Sequence, residues 1–385
     1  MADADPVSGA IAPGAADLTR AFRTHAPEFA GHQQAEAVHA GPAGLTVLCS
    51  ANRTGDEELT HLLRLSDNGD VAWERRFGAE HGSGRAMAAL PNGGFVIAGD
   101  IRRSELEYQA QLLHIDDDGQ LLESRPFGPG GVTGFAAVAV LDDGSAVAGG
   151  MTERRGWIVS VDEKLNLHWE RPMDDVNAVR GLASLADGDF AVAAIANQST
   201  TGFGTTQLSV LTVDQRVRWQ QRLPVSGRGE PAAIAARAGR SLVMAGYRSA
   251  NERDPARCWI ACLGTDGTLM WERLIGAAGE ERRGRAVTVL ADEGVAVVCD
   301  VLHDGEHALH VARLAADGTL AWERAYGGGE GVRDVANDIA AVADGGLVVV
   351  GSTTKGPGRT NAWVLRLDAD GALLWNRVFG SASTK

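Results

Sequence analysis

The chain reads as an all-β protein, a seven-bladed β-propeller of four-stranded antiparallel blades, on three observations. The stretch DGTLAWERAYG at 317–327 returns nearly unchanged as DGTLMWERLIG at 266–276, DGALLWNRVFG at 370–380 and NGDVAWERRFG at 68–78. Aligned on the tryptophan, one column runs Trp73, Glu123, Trp169, Trp219, Trp271, Trp322 and Trp375. Its members lie about fifty residues apart, the period of a propeller blade, and Glu123 marks the unit that lacks the indole. Between these landmarks the apolar residues fall in short runs bounded by Asp-Gly, Asn-Gly or Gly-Gly, the chemistry of tight hairpins, with no helical period.

The last unit shows the element order most clearly. NDIAAVAD (337–344), GLVVVGS (346–352), NAWVLRLD (361–368) and ALLWNRVFG (372–380) read as four consecutive strands. The second strand ends on a small residue in every unit: Cys49, Gly99, Gly149, Ala194, Gly246, Cys299 and Gly351. Such a column is expected where sheets converge on an axis. Arg follows Trp by two in five units, at Arg75, Arg171, Arg273, Arg324 and Arg377. Two apart on a strand is the same face, so Arg is expected to stack on the indole, while the intervening Glu points away. The Trp column is a structural repeat that fills the seams between blades.

The seven units span 29–380. Residues 1–28 form an Ala/Gly/Pro-rich arm whose TRAFRTHAPEF segment (19–29) matches a fourth strand, with Phe22 in the tryptophan place. That segment is expected either as an extra strand outside the last blade or as a substitute for the Trp375 strand. The DADG turn before Trp375 favours the first. Residues 381–385 are a short tail.

Composition bounds the use of this fold. Lys+Arg is 36 against Asp+Glu 50, a net charge of −14, which argues against nucleic acid as a partner. No apolar run reaches the length of a membrane span. The start MADADPVSGAIAPGAADL lacks a basic n-region and a long apolar h-region, so the chain as written is expected in the cytoplasm; a removed signal would place it in the periplasm or outside. Cys258 and Cys262 lie four apart on one strand, ~13 Å between Cα atoms, too far for a disulfide. Cys49 and Cys299 stand in one column of well-separated units, so all four cysteines are expected as free thiols.

The two faces differ. Tight turns such as PNG (91–93), DDG (142–144), SDNGD (66–70) and DDDG (116–119) hold nearly the whole acidic excess on one side. They lack the ligand spacing of an EF-hand, and no cofactor or metal is expected beyond a weakly held surface cation such as calcium. The other side carries long, dissimilar loops: 50–61, 100–109, 247–257, 301–310 and 352–360. Binding residues concentrate on such loops. At the start of the innermost strand one column reads Arg85, Phe135, Arg180, Ala232, Arg285 and Asn337. Three arginines at the pore mouth would either cradle an anion or an acidic segment, or pair with Glu80, Asp174, Glu281 or Asp334. Leu106, Tyr108, Phe203 and Tyr247 are candidate apolar contacts on the same side. His303, His307 and His310 cluster in one segment, but strand alternation would splay them, and no zinc site is expected. No nucleophile elbow, P-loop or CxxC pair is present.

The pattern D-x-x-G-x-x-x-W, as in LDADGALLW (367–375) and LSDNGDVAW (65–73), resembles the tryptophan-docking repeat of quinoprotein-like (PQQ-like) propellers and of short-repeat propellers found in many bacterial proteins. The resemblance implies the propeller fold. It does not extend to quinone chemistry: the count is seven units rather than eight, and neither an adjacent Cys-Cys pair nor a carboxylate/Asn set for a quinone-bound calcium is found. The expected function is a non-catalytic scaffold that docks a protein or peptide over the long-loop face. The alternative is an enzyme or a binder of a small anion at the pore mouth near Arg85, Arg180 and Arg285.

Overall fold

The computed structural model describes residues 22–25, 31–53, 58–78, 82–153, 155–197, 204–223, 227–238, 241–251, 254–277, 279–303, 305–355 and 360–380. Glu80, Phe203, most of the N-terminal arm and the tail lie outside them. The strands form seven antiparallel sheets in chain order. Blade 1 runs from the strand Gly31–Gly41 to Val71–Phe77, blade 2 from Ser83–Ala89 to Leu121–Phe127, and blade 3 from Thr133–Val140 to Leu167–Met173. Blade 4 runs from Val176–Ser184 to Val217–Arg222, blade 5 from Arg228–Arg237 to Leu269–Ile275, blade 6 from Glu281–Val289 to Leu320–Tyr326, and blade 7 from Asp334–Ala341 to Leu373–Phe379. The first strands touch one another around a closed circle, blade 7 meeting blade 1, so the first strand is innermost and the fourth outermost. The fold is a seven-bladed β-propeller.

Each sheet is apolar on both faces because each face meets another blade. The core accordingly divides into seven clusters, one per seam. The repeated motif makes each seam. Trp169, Trp219, Trp271, Trp322 and Trp375 donate their indole N–H to a carbonyl in the last turn of the following blade: Val213 (2.9 Å), Thr265 (2.6 Å), Ala316 (3.1 Å), Ala369 (3.2 Å) and Asp67 (2.8 Å). In four of these seams the turn glycine lies against the ring, a Cβ on Gly69 standing 3.0 Å from Trp375 and on Gly318 2.7 Å from Trp271, while the turn that receives Trp169 has Gln215 at that position, at φ 70°. This explains why Asp-x-x-Gly and Trp recur together. The arginine two residues on does more than stack. Arg75 and Arg377 lie 5.2 and 5.1 Å from their indole rings, while Arg171, Arg273 and Arg377 also donate to carbonyls of the next blade.

The unit lacking the indole is compensated locally. Its successor turn carries Leu165 in place of glycine, at φ 59° and fully buried in the apolar seam between blades 2 and 3. The leucine stands where most other turns place the glycine that meets an indole, and tolerates a left-handed backbone to do so.

Blade 7 carries a fifth strand: Phe22–His25 runs parallel to Leu373–Phe379 at its outer edge. That outer position leaves the Trp375 strand hydrogen-bonded to its own third strand, Asn361–Leu367. Among the described residues the four core strands of every blade are consecutive in the chain, so the ring closes through its seam. Besides Trp375, Arg377 donates to Asn68 and Gly69, Asn337 to the Ala35 carbonyl, and the Val38 N–H reaches the Asp338 carboxylate.

Candidate functional site

Every first strand carries a β-bulge at one common register, and the residue left out of the ladder is Glu36, Arg85, Ala136, Arg180, Ala232, Arg285 or Asn337. Blade 4 shows how the bulge aims its residue. Val179 packs into the seam with blade 3, Gly181 packs on Ala233 and Ile234 of blade 5, and Arg180 between them is unpaired and exposed. With both seams taken, the extra residue turns to the central channel. The bulge also explains the small column of the second strand. A Cβ on Gly99, Gly246 or Gly351 would lie 1.9, 2.2 or 2.0 Å from a carbonyl oxygen of the first strand just ahead of the bulge.

The register corrects two sequence assignments in blade 3. The bulged residue is Ala136, not Phe135, which is buried and stacked on Trp157. The small-column residue is Gly150, not Gly149, since Phe135 opposes Gly150 across the ladder. Blade 1 adds Glu36 to the ring.

Arg85 and Arg285 are held at half exposure by neighbours on the second strand. Arg85 Nε lies 2.6 Å from Asp100 Oδ2, and Arg285 Nε 2.5 Å from Asp300 Oδ2. Neither uses the partners expected from sequence: Glu281 binds Arg283 instead, and Asp334 accepts the Gly328 N–H. Asp300 also accepts the Ala336 N–H at 2.8 Å, tying blade 6 to blade 7; burial raises its pKa against the pull of Arg285. Glu36 is bound only by neutral donors, Gln34 Nε2 and Ser50 Oγ, each at 2.6 Å, and burial pushes its pKa up despite nearby Arg85.

Tyr247 is not an exposed loop residue. It sits on the strand Ser241–Ser249, half-buried between the guanidinium groups of Arg228 and Arg283, 5.2 and 4.9 Å from its ring. Burial and the Glu230 carboxylate both push its hydroxyl pKa up. Tyr108 opens the strand Tyr108–Ile115, half-buried, while Leu106 before it is 82% exposed. These two lie on the long-loop side of blade 2, apart from the Tyr247 cluster of blade 5. His310 pairs with Glu323 at 2.9 Å, and His303 opposes Glu306 on a ladder; among the described residues no group of three or more His, Cys, Asp or Glu is placed to hold a metal.

Sequence reasoning found the three ring arginines and missed their surroundings: Glu36, Asp100, Asp300, Arg228, Glu230 and Arg283. Asp100 and Asp300 were within reach, since each directly follows the small column on its second strand. Arg228 and Glu230 share one face of a strand.

No family model matches the chain, and no curated protein does. Among solved structures it is similar to a Lactobacillus plantarum protein at TM-score 0.53 and 13% identity, over 91% of this chain and 96% of that one. It is similar also to Sqt1 from Chaetomium thermophilum at TM-score 0.52 and 13% identity, over 89% and 84%. Likeness at this identity bears on the fold and agrees with the propeller. Among the described residues no helix is long and apolar enough to cross a membrane.

Proposed function

We propose that this propeller is a non-catalytic scaffold that docks a partner protein or peptide over its long-loop face, around the mouth of the central channel. The observation that supports it is the distribution of charge. In a chain of net −14, three of the seven bulge positions are arginine, and two more arginines flank Tyr247 on the first strands of blades 5 and 6. A rigid ring of packed seams presents these guanidinium groups and the Tyr247 ring at fixed spacing, with Arg85, Arg228, Arg283 and Arg285 each paired to a carboxylate and Arg180 without a partner among the described residues, which suits recognition without rearrangement. The indole docked on the next blade's turn supports counting the repeat with the quinoprotein-like family as a fold.

A second reading, a small anionic ligand or substrate at the same mouth, is favoured by the half exposure of Arg85 and Arg285. Capture from host lysate by the wild-type chain, beside a variant reversed at Arg228, Arg283 and Arg285, tests the first. A partner retained by the wild type and lost by the variant is expected. A partner set identical for both would overturn it.

A further inference from the structure

The channel ring is not evenly furnished. Through blades 5, 6, 7, 1 and 2 its polar groups satisfy one another: Arg228 with Glu230, Arg283 with Glu281, Arg285 with Asp300, Asn337 with the Ala35 carbonyl, Glu36 with Gln34 and Ser50, Arg85 with Asp100. At the bulge itself, blades 3 and 5 contribute only the methyl groups of Ala136 and Ala232. Arg180 stands between them, exposed, and no hydrogen bond or ion pair reaches it among the described residues. Its strand is also the one first strand with a second bulge, between Val176 and Ala178. A bulge bends its strand and re-aims the side chains beyond it.

We infer that the Arg180 sector is a carboxylate-binding subsite that anchors an acidic segment of a partner protein in the channel mouth. The inference rests on the scaffold reading for the source of the carboxylate. The chemistry is that of the guanidinium fork, which meets a carboxylate with two parallel hydrogen bonds. Arg85 and Arg285 commit donors and charge to Asp100 and Asp300, whereas Arg180 has its whole fork to offer. The flanking alanines leave the approach open. The net charge of −14 sets the size of the ligand, because a long polyanion is repelled by the acidic turns while a segment of a few acidic residues is not.

Binding of a fluorescein-labelled hexaglutamate peptide, followed by anisotropy, tests this on the whole chain. Saturable, salt-sensitive binding is expected, with Arg180→Ala weakening it about tenfold or more and Arg285→Ala less. Arg180→Lys should recover only part, since an ammonium lacks the fork. Unchanged melting curves for all three keep folding out of the comparison, and the exposure of Arg180 supports this. Equal binding by Arg180→Ala would overturn the inference. So would displacement of the peptide by free glutarate or inorganic phosphate at equal concentration, which assigns the subsite to a small anion. A lysate partner captured equally by Arg180→Ala would sink the subsite and leave the scaffold standing. Peptide binding that depends on Arg180, with no partner captured, supports the subsite and removes the scaffold.

Discussion

Asp338 accepts the backbone N–H of Val38 at 2.9 Å across the seam between the last blade and the first. The position after the bulge is Ala37, Ala86, Ala137, Gly181, Ala233 or Ala286 in the other blades, so a carboxylate occurs only where the ring must close. Its second oxygen accepts the Ile339 N–H at 2.8 Å. Two donors offset part of the cost of desolvation, and burial still pushes the pKa up to about 6.

A pKa raised from 3.8 to about 6 means that the folded chain holds this proton more tightly than the unfolded one. The stabilisation is full below pH 3.8 and is lost as pH rises through about 6, on the order of 3 kcal/mol. Glu74 has the opposite sign. The His61 imidazole 3.5 Å away and the charge of Arg76 hold its carboxyl at about 2, so its contribution is present above pH 4.5 and is lost as pH falls toward 2. Urea unfolding of Asp338→Asn against wild type across pH 4–7 should show the wild-type decline between pH 4 and 6 flattened in the variant. Parallel profiles would remove Asp338 as its source.

The indole seams make a second prediction, at the one seam that lacks the indole. Leu165→Ala should cost about 2–4 kcal/mol, since it opens a cavity where the side chain is fully buried. Glu123→Trp alone should destabilise, because Leu165 fills the docking place. Combined with Leu165→Gly it restores the motif of the other blades, and the pair should be more stable than the sum of the single changes by about 1 kcal/mol or more. Additive effects in the double-mutant cycle would show that Leu165 does not stand in for the ring. Trp375→Phe offers a calibration: the Asp67 carbonyl loses its donor, at a cost of about 1 kcal/mol plus the smaller ring.

The propeller was legible because one motif, read seven times, averages out local ambiguity. Trp and the turn glycine are fixed by a contact between blades and the small column by a contact within each blade, and both contacts repeat around the ring. Blade 3 was misread where that redundancy failed. Thr133-Gly134 looks like Ser83-Gly84, yet Gly84 corresponds in register to Phe135, and the Gly149-Gly150 pair offers two places for one small residue. A bulge consumes one residue without leaving a mark in hydrophobic alternation, so the axis-facing position cannot be counted along a strand. The arginines of the ring could be found by their charge. Asp100 and Asp300 could have been found by their place after the small column, but the cluster around Tyr247 could not, because it draws on two blades.

The cysteines join two such strands as well, and they yield the last prediction. Cys258 of blade 5 and Cys299 of blade 6 lie in one seam, a pairing that spacing along the chain did not suggest. All four cysteines are free and buried; the neighbouring Cys258 and then burial raise the pKa of Cys299, and burial raises that of Cys49. The thiolate is the reactive form, so both its population and its access are suppressed in the folded ring. Treatment with an aromatic disulfide reagent should release no chromophore from the native chain on the timescale in which the denatured chain releases four equivalents. In intermediate urea, Cys258 and Cys299 should become reactive together, because opening their shared seam exposes both, while Cys49, in the seam that closes the ring, reacts when that seam opens. Prompt reaction of any thiol in buffer, or of Cys258 without Cys299, would mean that the blades separate more easily than seven packed seams allow.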